Sequence, residues 1–588
     1  MPHSVFTSDK HKFVIYELFV RLFSNCQTTN NLFGTIDENG VGKFDDITIT
    51  ALEELKMLGI THCWFMGVLE HACLTDYSKY GIQADDPRVV KGRAGSPYAI
   101  KDYYDVSPDL ANNIENRIVE FEELLYRTHQ VGLKAIIDFV PNHVARAYRS
   151  DKRPDGIKDF GQDDNLDEFF HPENNYLYIP NSTFEAPSEY SPLQGVHVPK
   201  NYLKLNESPA KVTGNDIYEA RPSMNDWFET VKLNFGVDPH SPHPCLFDPI
   251  PDTWRKLLDI ILYWCNKGVD GFRCDMAEMV PAEFWEWLIP CAKTKYPEVI
   301  FIAEIYKTEL YTRYLDKGCF DYLYDKVQLY DTLIGILKGH TNADELSVCA
   351  RANENFSERM LSFLENHDEE RLLGYGINAS CQSIKPAMLV AAALSRGPIL
   401  LYNGQEVGER AIENVGFAGN RNRTSIFDYA SMPEHLKWIN NKKYDGGKLT
   451  EDQSAYRNYY STLLNFCLNS DAITNGKFYD LQYINRFNQS EGFDERYVYA
   501  FLRYTEKEQL LIICNFSVEI SFDVYVKIPS EALELMAIEN KNDFIFEELL
   551  EKEIKLTVNN IFLSDVKSKT GGVAFKLKPS AAFIFQIL

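Results

Sequence analysis

Four short runs place acids, an arginine and histidines where apolar, strand-like segments end. They are Asp138-Phe139-Val140-Pro141-Asn142-His143, Gly271-Phe272-Arg273-Cys274-Asp275, Phe301-Ile302-Ala303-Glu304 and Phe363-Leu364-Glu365-Asn366-His367-Asp368. Side chains alternate faces along a strand, so Arg273 and Asp275, two apart, share one. An Arg and an Asp in an apolar interior need each other or a ligand. Three carboxylates, Asp275, Glu304 and Asp368, would then converge with Arg273, His143 and His367 around them. Such a set suits cleavage of a glycosidic bond, which needs one carboxylic acid to protonate the leaving oxygen and one carboxylate across the sugar ring. Arg273 should lower the pKa of Asp275 and keep it an anion, as a nucleophile requires. Glu304, ending an apolar run among like charges, should be raised and keep its proton. Asp368 would anchor sugar hydroxyls and support an oxocarbenium-like transition state, with His143 and His367 holding hydroxyls of the same ring. Singly, each residue reads equally well as a structural hydrogen-bonder. Asp138 reads as a tie between strand ends, and Asn142 as a tie or a metal ligand. Four such ends in order are hard to explain that way.

The elements that must carry these ends alternate for about 470 residues. Strand-like runs fall at 13–23, 62–68, 134–140, 269–274, 299–305, 320–325, 360–366 and 398–402, with helical patterns at 49–60, 114–132, 252–267, 282–296, 308–317, between 326 and 357, at 381–396 and at 455–470. Alternation implies parallel strands, and eight units predict a closed (β/α)₈ TIM barrel whose site lies at the C-terminal strand ends. Residues 141–250, rich in Asp, Asn, Pro and Tyr, are too long for a plain loop and predict a lobe inserted after the third strand. From 471 to 588 the pattern changes to period-2 strands such as Tyr497–Tyr504 and Leu510–Phe516, which predict an antiparallel β-sandwich domain. The barrel would then comprise 1–140 and 251–470.

Composition limits the partners. With 60 Lys+Arg against 85 Asp+Glu the net charge is −25, which excludes nucleic acid or an anionic membrane as the main partner. The 45% hydrophobic content is that of an ordinary globular protein, and 34 Tyr and 37 Phe favour recognition of flat ligands. The start of the chain has no signal-peptide pattern, no run of 18 apolar residues occurs, and the 12 scattered Cys predict free thiols in a reducing, cytoplasmic setting.

The motifs resemble those of the α-amylase family, glycoside hydrolase family 13, in an intracellular bacterial form. DFVPNH, GFRCDMAE, FIAEIY and FLENHD resemble its four conserved regions in order, YELFVRLF its first strand, SPYAIKDYY its substrate-stacking segment and LYNGQEVGE its eighth-strand motif. The resemblance covers roughly residues 13–470. It implies that Asp275 is the nucleophile, Glu304 the acid/base and Asp368 the transition-state stabiliser. It further implies that Arg273, His143, His367 and Tyr98 surround the sugar being cleaved, with the Tyr98 ring stacked on it, and that Asp102 is structural. It implies a retaining mechanism on α-glucosidic bonds, of maltooligosaccharides or starch and glycogen fragments. Transglycosylases of the family (maltosyltransferases, branching enzymes, trehalose-forming isomerases) use the same carboxylates. Non-catalytic relatives lose them, and this chain has all three. The family's fifth motif often carries a calcium-binding Asp. The nearest match, Thr230-Val231-Lys232-Leu233-Asn234, has Lys232 there. No cofactor is therefore expected, the usual calcium is doubtful with Asn142 its one remaining candidate ligand, and chelation should leave activity and melting temperature unchanged. Oligomeric state is not legible.

Overall fold

The computed structural model describes residues 12–188, 190, 199–377, 379–417, 419, 422–539, 541–552 and 554–588. The opening residues, on which the reading of no leader rests, lie outside this set. Eight parallel strands close into a barrel: β1 (Val14–Phe19), β2 (His62–Met66), β3 (Lys134–Phe139), β4 (Gly271–Cys274), β5 (Ile300–Ala303), β6 (Tyr322–Tyr324), β7 (Met360–Phe363) and β8 (Ile399–Tyr402). They follow one another around the ring, and β1 pairs with both β2 and β8. All eight expected strands are present.

The helices end where local chemistry stops them. Ile49–Leu58 starts at Thr48, whose side chain accepts from the Ala51 N–H, and stops at Gly59 in the left-handed region. Arg117–Gln130 and Asp252–Asn266 bury Phe121 and Leu124, and Leu257 and Ile261, and return to β3 and β4. The stretch expected as a helix at 308–317 is instead a short 3₁₀ turn, Thr308–Leu310, followed by the wider turn Arg313–Lys317. The run expected as one strand at 13–23 breaks after Phe19 into a helical turn, Val20–Phe23.

Two additions crown the barrel. Leu69–His71 pairs antiparallel with Ile100–Val106, a hairpin leading from β2. Gly95 at its turn has φ +74°, and a Cβ there would stand 1.7 Å from the Ala72 carbonyl oxygen, so only glycine permits the approach that sets Tyr98. The segment between β3 and β4 contributes short pairs, His143–Ala145 with Thr230–Lys232 and Tyr178–Ile179 with Ala210–Lys211.

At the C-terminal end a six-stranded antiparallel sheet faces a two-stranded one, Phe522–Val526 with Val573–Leu577. The strand Val498–Tyr504 is buried on both faces. Tyr499 and Phe501 join the barrel core, whereas Val498, Ala500 and Leu502 join a second core shared by the two sheets. Period-2 alternation therefore divides one strand between two cores. The twelve cysteines form no disulfide. Among the described residues no helix is long and apolar enough to cross a membrane.

Candidate active site

Asp275 and Glu304 each stand one residue beyond their strand, β4 and β5, and Asp368 follows β7. The register places Arg273 between Asp138 of β3 and Ile302 of β5. From there the guanidinium, 1% exposed, reaches several neighbours. Its Nη1 donates to Asp275 Oδ1 at 2.6 Å and its Nε to the Tyr324 hydroxyl at 3.1 Å. Nη2 lies 2.8 Å from Glu304 Oε2 but is not aligned as a hydrogen bond. Asp138 is 3.9 Å from Nη1. Glu304 also accepts from the Met276 N–H (2.9 Å) and from the Tyr306 hydroxyl (2.6 Å). Met276 also holds φ +44°, an unfavourable backbone state for a side-chain-bearing residue.

A second chain of contacts joins from β7. His367 Nδ1 meets Glu17 Oε1 at 2.5 Å, while its Nε2 meets Asp368 Oδ2 at 3.1 Å and the Tyr98 hydroxyl at 2.8 Å. The Tyr98 ring stacks on His367 with centroids 5.2 Å apart, and Arg273 approaches the same ring at 5.4 Å. Tyr98, the ring expected to stack on a sugar, is 9% exposed and packs against His367. Asp368 opens to the mouth, its side chain 44% exposed. His143 is buried against Trp227 (5.1 Å), with Nδ1 3.1 Å from Asn142 Nδ2 and a hydrogen bond to the Tyr98 backbone.

The electrostatics correct one expectation. Burial dominates at Asp275 and pushes its carboxyl above the usual range, and the adjacent Arg273 pulls it back only in part. The low pKa expected from Arg273 alone is therefore wrong, because desolvation of a carboxylate in the barrel outweighs one shared cation. Glu304 is also raised by burial, opposed by Arg273 and reinforced by Asp275 and Asp368. At Asp368 desolvation favours the neutral acid, but the charge and hydrogen bond of His367 outweigh it and hold the carboxyl at about 2. Burial favours neutral His367, yet Asp368 and Glu17 raise it well above its ordinary value. His143, by contrast, is lowered to about 4 by burial and is neutral.

The α-amylase catalytic-domain model matches residues 27–496. The chain belongs to the α-amylase family. It is an enzyme of the glycoside-hydrolase type, hydrolase or transglycosylase. It is 27% identical over 404 residues to the α-amylase MalA of Haloarcula japonica, covering 68% of this chain and 44% of that protein. α-Amylase 3 of Dictyoglomus thermophilum is 22% identical over 531 residues, 85% of this chain and 84% of its own. The Geobacillus thermoleovorans α-amylase solved with acarbose shares the fold at 17% identity and TM-score 0.61, over 99% of this chain and 98% of that one.

Three neighbours in this α-amylase-family site escaped the sequence reading. Glu17 stands inside the apolar β1 run Val14–Phe19, a buried acid whose position alone could have marked it. Tyr306 lies two residues beyond Glu304, on the same face of the strand's extension, and that spacing was a usable signal. Tyr324 had no such signal. Glu365, although in the same motif as Asp368, is turned away and pairs with Arg371 at 2.8 Å. Asp138 ties strand ends, accepting from the Gly67 N–H (3.1 Å) and the Tyr98 hydroxyl (3.4 Å), and Asp102 holds the Tyr104 and Asp151 N–H groups. A cavity of about 550 Å³ lined by Arg351, Arg396 and Arg503 belongs to the junction with the C-terminal sheet and contains none of these residues.

One residue of this chain does not fit the family's usual calcium. The mismatch is Lys232, which is buried and places its ammonium 3.1 Å from Asp216; Asn142 donates its Nδ2 to the Gly214 carbonyl at 2.8 Å, and its Oδ1, the atom able to ligate, is buried with no hydrogen-bond partner among the described residues. An ammonium cannot ligate a dication and repels it.

Proposed function

We propose that the chain cleaves α-1,4-glucosidic bonds of maltooligosaccharides, or of starch and glycogen fragments, by a retaining mechanism. The observation that carries this reading is the single buried guanidinium of Arg273 against both Asp275 and Glu304, at adjacent strand ends. Its aligned hydrogen bond falls on Asp275, which favours the anion there and leaves the proton on Glu304. Asp275 attacks the anomeric carbon while Glu304 gives its proton to the leaving glycosidic oxygen, forming a covalent glucosyl-enzyme. Glu304, now a base, takes a proton from the incoming water, whose oxygen displaces Asp275 from that carbon. Asp368, held ionised by His367, faces the positive charge that develops on the ring. Tyr306 keeps the Glu304 carboxyl in one orientation. Arg273, His143, His367 and Tyr98 form the walls of the sugar subsite. The acarbose complex of the Geobacillus relative supports a glucan-like substrate.

A second reading replaces water with a sugar hydroxyl. A 91-residue stretch is 32% identical to the α-1,4-glucan:maltose-1-phosphate maltosyltransferase of Cereibacter sphaeroides, covering 14% of this chain and 15% of that enzyme. Incubation with maltoheptaose decides. Shorter α-anomeric products support hydrolysis with retention, and products longer than the substrate support transfer. β-Anomeric products, or full turnover by Asp275→Asn, would remove the mechanism altogether.

A further inference from the structure

A second group of acids lies outside the site just described. Glu70, on the short strand Leu69–His71, stands opposite Asp102 of Ile100–Val106. Asp105 is on the latter strand, and Asp151 comes from the start of the inserted segment. One carboxylate oxygen from each of these four residues lies within 4.8 Å of all the others. Glu70 is 3% exposed and Asp102 and Asp105 are fully buried, whereas Asp151 opens to solvent.

The cations nearby are committed. Arg117 donates to both oxygens of Asp105. Lys101 is held by Asp85 at 3.1 Å and by the Gln83 carbonyl at 3.0 Å. Asp102 accepts from the backbone N–H groups of Tyr104 (2.8 Å) and Asp151 (2.9 Å). Glu70 has nothing comparable: its buried Oε2 has no hydrogen-bond partner among the described residues, although its carboxyl belongs to the converging set. A buried carboxylate without a partner is strongly unfavourable, and three more beside it make it worse. The remedy is either protons or a cation.

The geometry favours a cation. Calcium takes oxygen ligands at about 2.3–2.6 Å, so oxygens of one shell stand no more than about 4.6–5.2 Å apart. The spread of 4.8 Å fits within that shell. Asp151 supplies an entry path from solvent and leaves room for water ligands.

We propose that Glu70, Asp102, Asp105 and Asp151 form a binding site for a hard divalent cation of the calcium type. The cation ties the hairpin after β2 to the first residues of the inserted segment. It is a different place from Asn142 and Lys232, so the insensitivity to chelation expected from Lys232 does not extend to it. Its role is structural, since none of the four residues touches Asp275, Glu304 or Asp368.

The test uses the full chain stripped with EDTA at neutral pH and titrated with calcium chloride, followed by calorimetric binding and thermal unfolding. We expect one calcium per chain to bind and the melting temperature to rise. Glu70→Gln and Asp151→Asn should each weaken binding at least about tenfold, as loss of one ligand does. Glu70→Gln should also make the melting temperature insensitive to added calcium. Asp151→Asn, at an exposed position, serves should Glu70→Gln not fold. No binding at about 1 mM calcium, the weak end of protein calcium sites, overturns the proposal. So does calcium binding that survives both substitutions, or that is lost in Asn142→Ala and retained in Asp151→Asn.

Discussion

Two clusters of acids, each with one member open to solvent, sit on one barrel and are neutralised differently. At the mouth Asp275, Glu304 and Asp368 share two internal cations, Arg273 and His367, each of which touches two carboxylates. Beside the hairpin, among Glu70, Asp102, Asp105 and Asp151, Arg117 is spent on Asp105, and Lys101, held by Asp85, acts on Glu70 only through its charge. The mouth can exchange protons among its members because its countercharge is built in and permanent. The hairpin cluster has no such reserve and needs charge from outside. The difference teaches that a group of carboxylates is a reaction centre only when the protein supplies the balancing charge and leaves one proton mobile.

The comparison is broken most severely at Arg273. Replacing it with Met leaves Asp275 and Glu304 buried and unpaired. Turnover should vanish, and stability in urea unfolding should fall by about 3–5 kcal/mol, the cost of removing one partner of a buried ion pair. An unchanged unfolding midpoint would show that the mouth does not depend on its internal cation.

Next in size is Glu304→Gln. It should lower turnover of maltoheptaose by roughly 10²–10⁴-fold, the usual worth of a general acid. On a glucoside with a good leaving group, which needs little protonation, the loss should be much smaller. Equal loss on both substrates would argue against the acid assignment.

The smallest effect is on the pH profile, and its sign follows from the two raised carboxyls. Asp275 must be an anion, so kcat/KM should fall as pH drops through its raised pKa, above the ordinary value of about 3.9. Glu304 must carry a proton, so kcat/KM should fall again as pH rises through its own raised pKa. An acid limb at or below about 3.9 would mean that Arg273, not burial, governs Asp275.

Much of this was legible before any coordinates. The strand ends were readable because apolar runs stop at polar residues, and a strand's two-residue period tells which of those share a face. Arg273 and Asp275 follow from that rule alone. Tyr306 obeyed the same rule and was overlooked. Tyr324, which binds Arg273 from β6, and the grouping of Glu70 with Asp151 across the hairpin and the inserted segment could not be reached that way. Those contacts join residues distant in the chain, and nothing local encodes their approach.

The division is physical. Sequence by itself determined the eight-strand order, the change to period-2 strands after residue 471 and the candidate catalytic acids, because each depends on periodicity and near neighbours. Only the tertiary structure decided the charge states. It showed burial overriding Arg273 at Asp275, His367 holding Asp368 near 2, and Tyr98 packed on His367. Desolvation depends on everything packed around a group, and that surrounding is assembled from the whole chain.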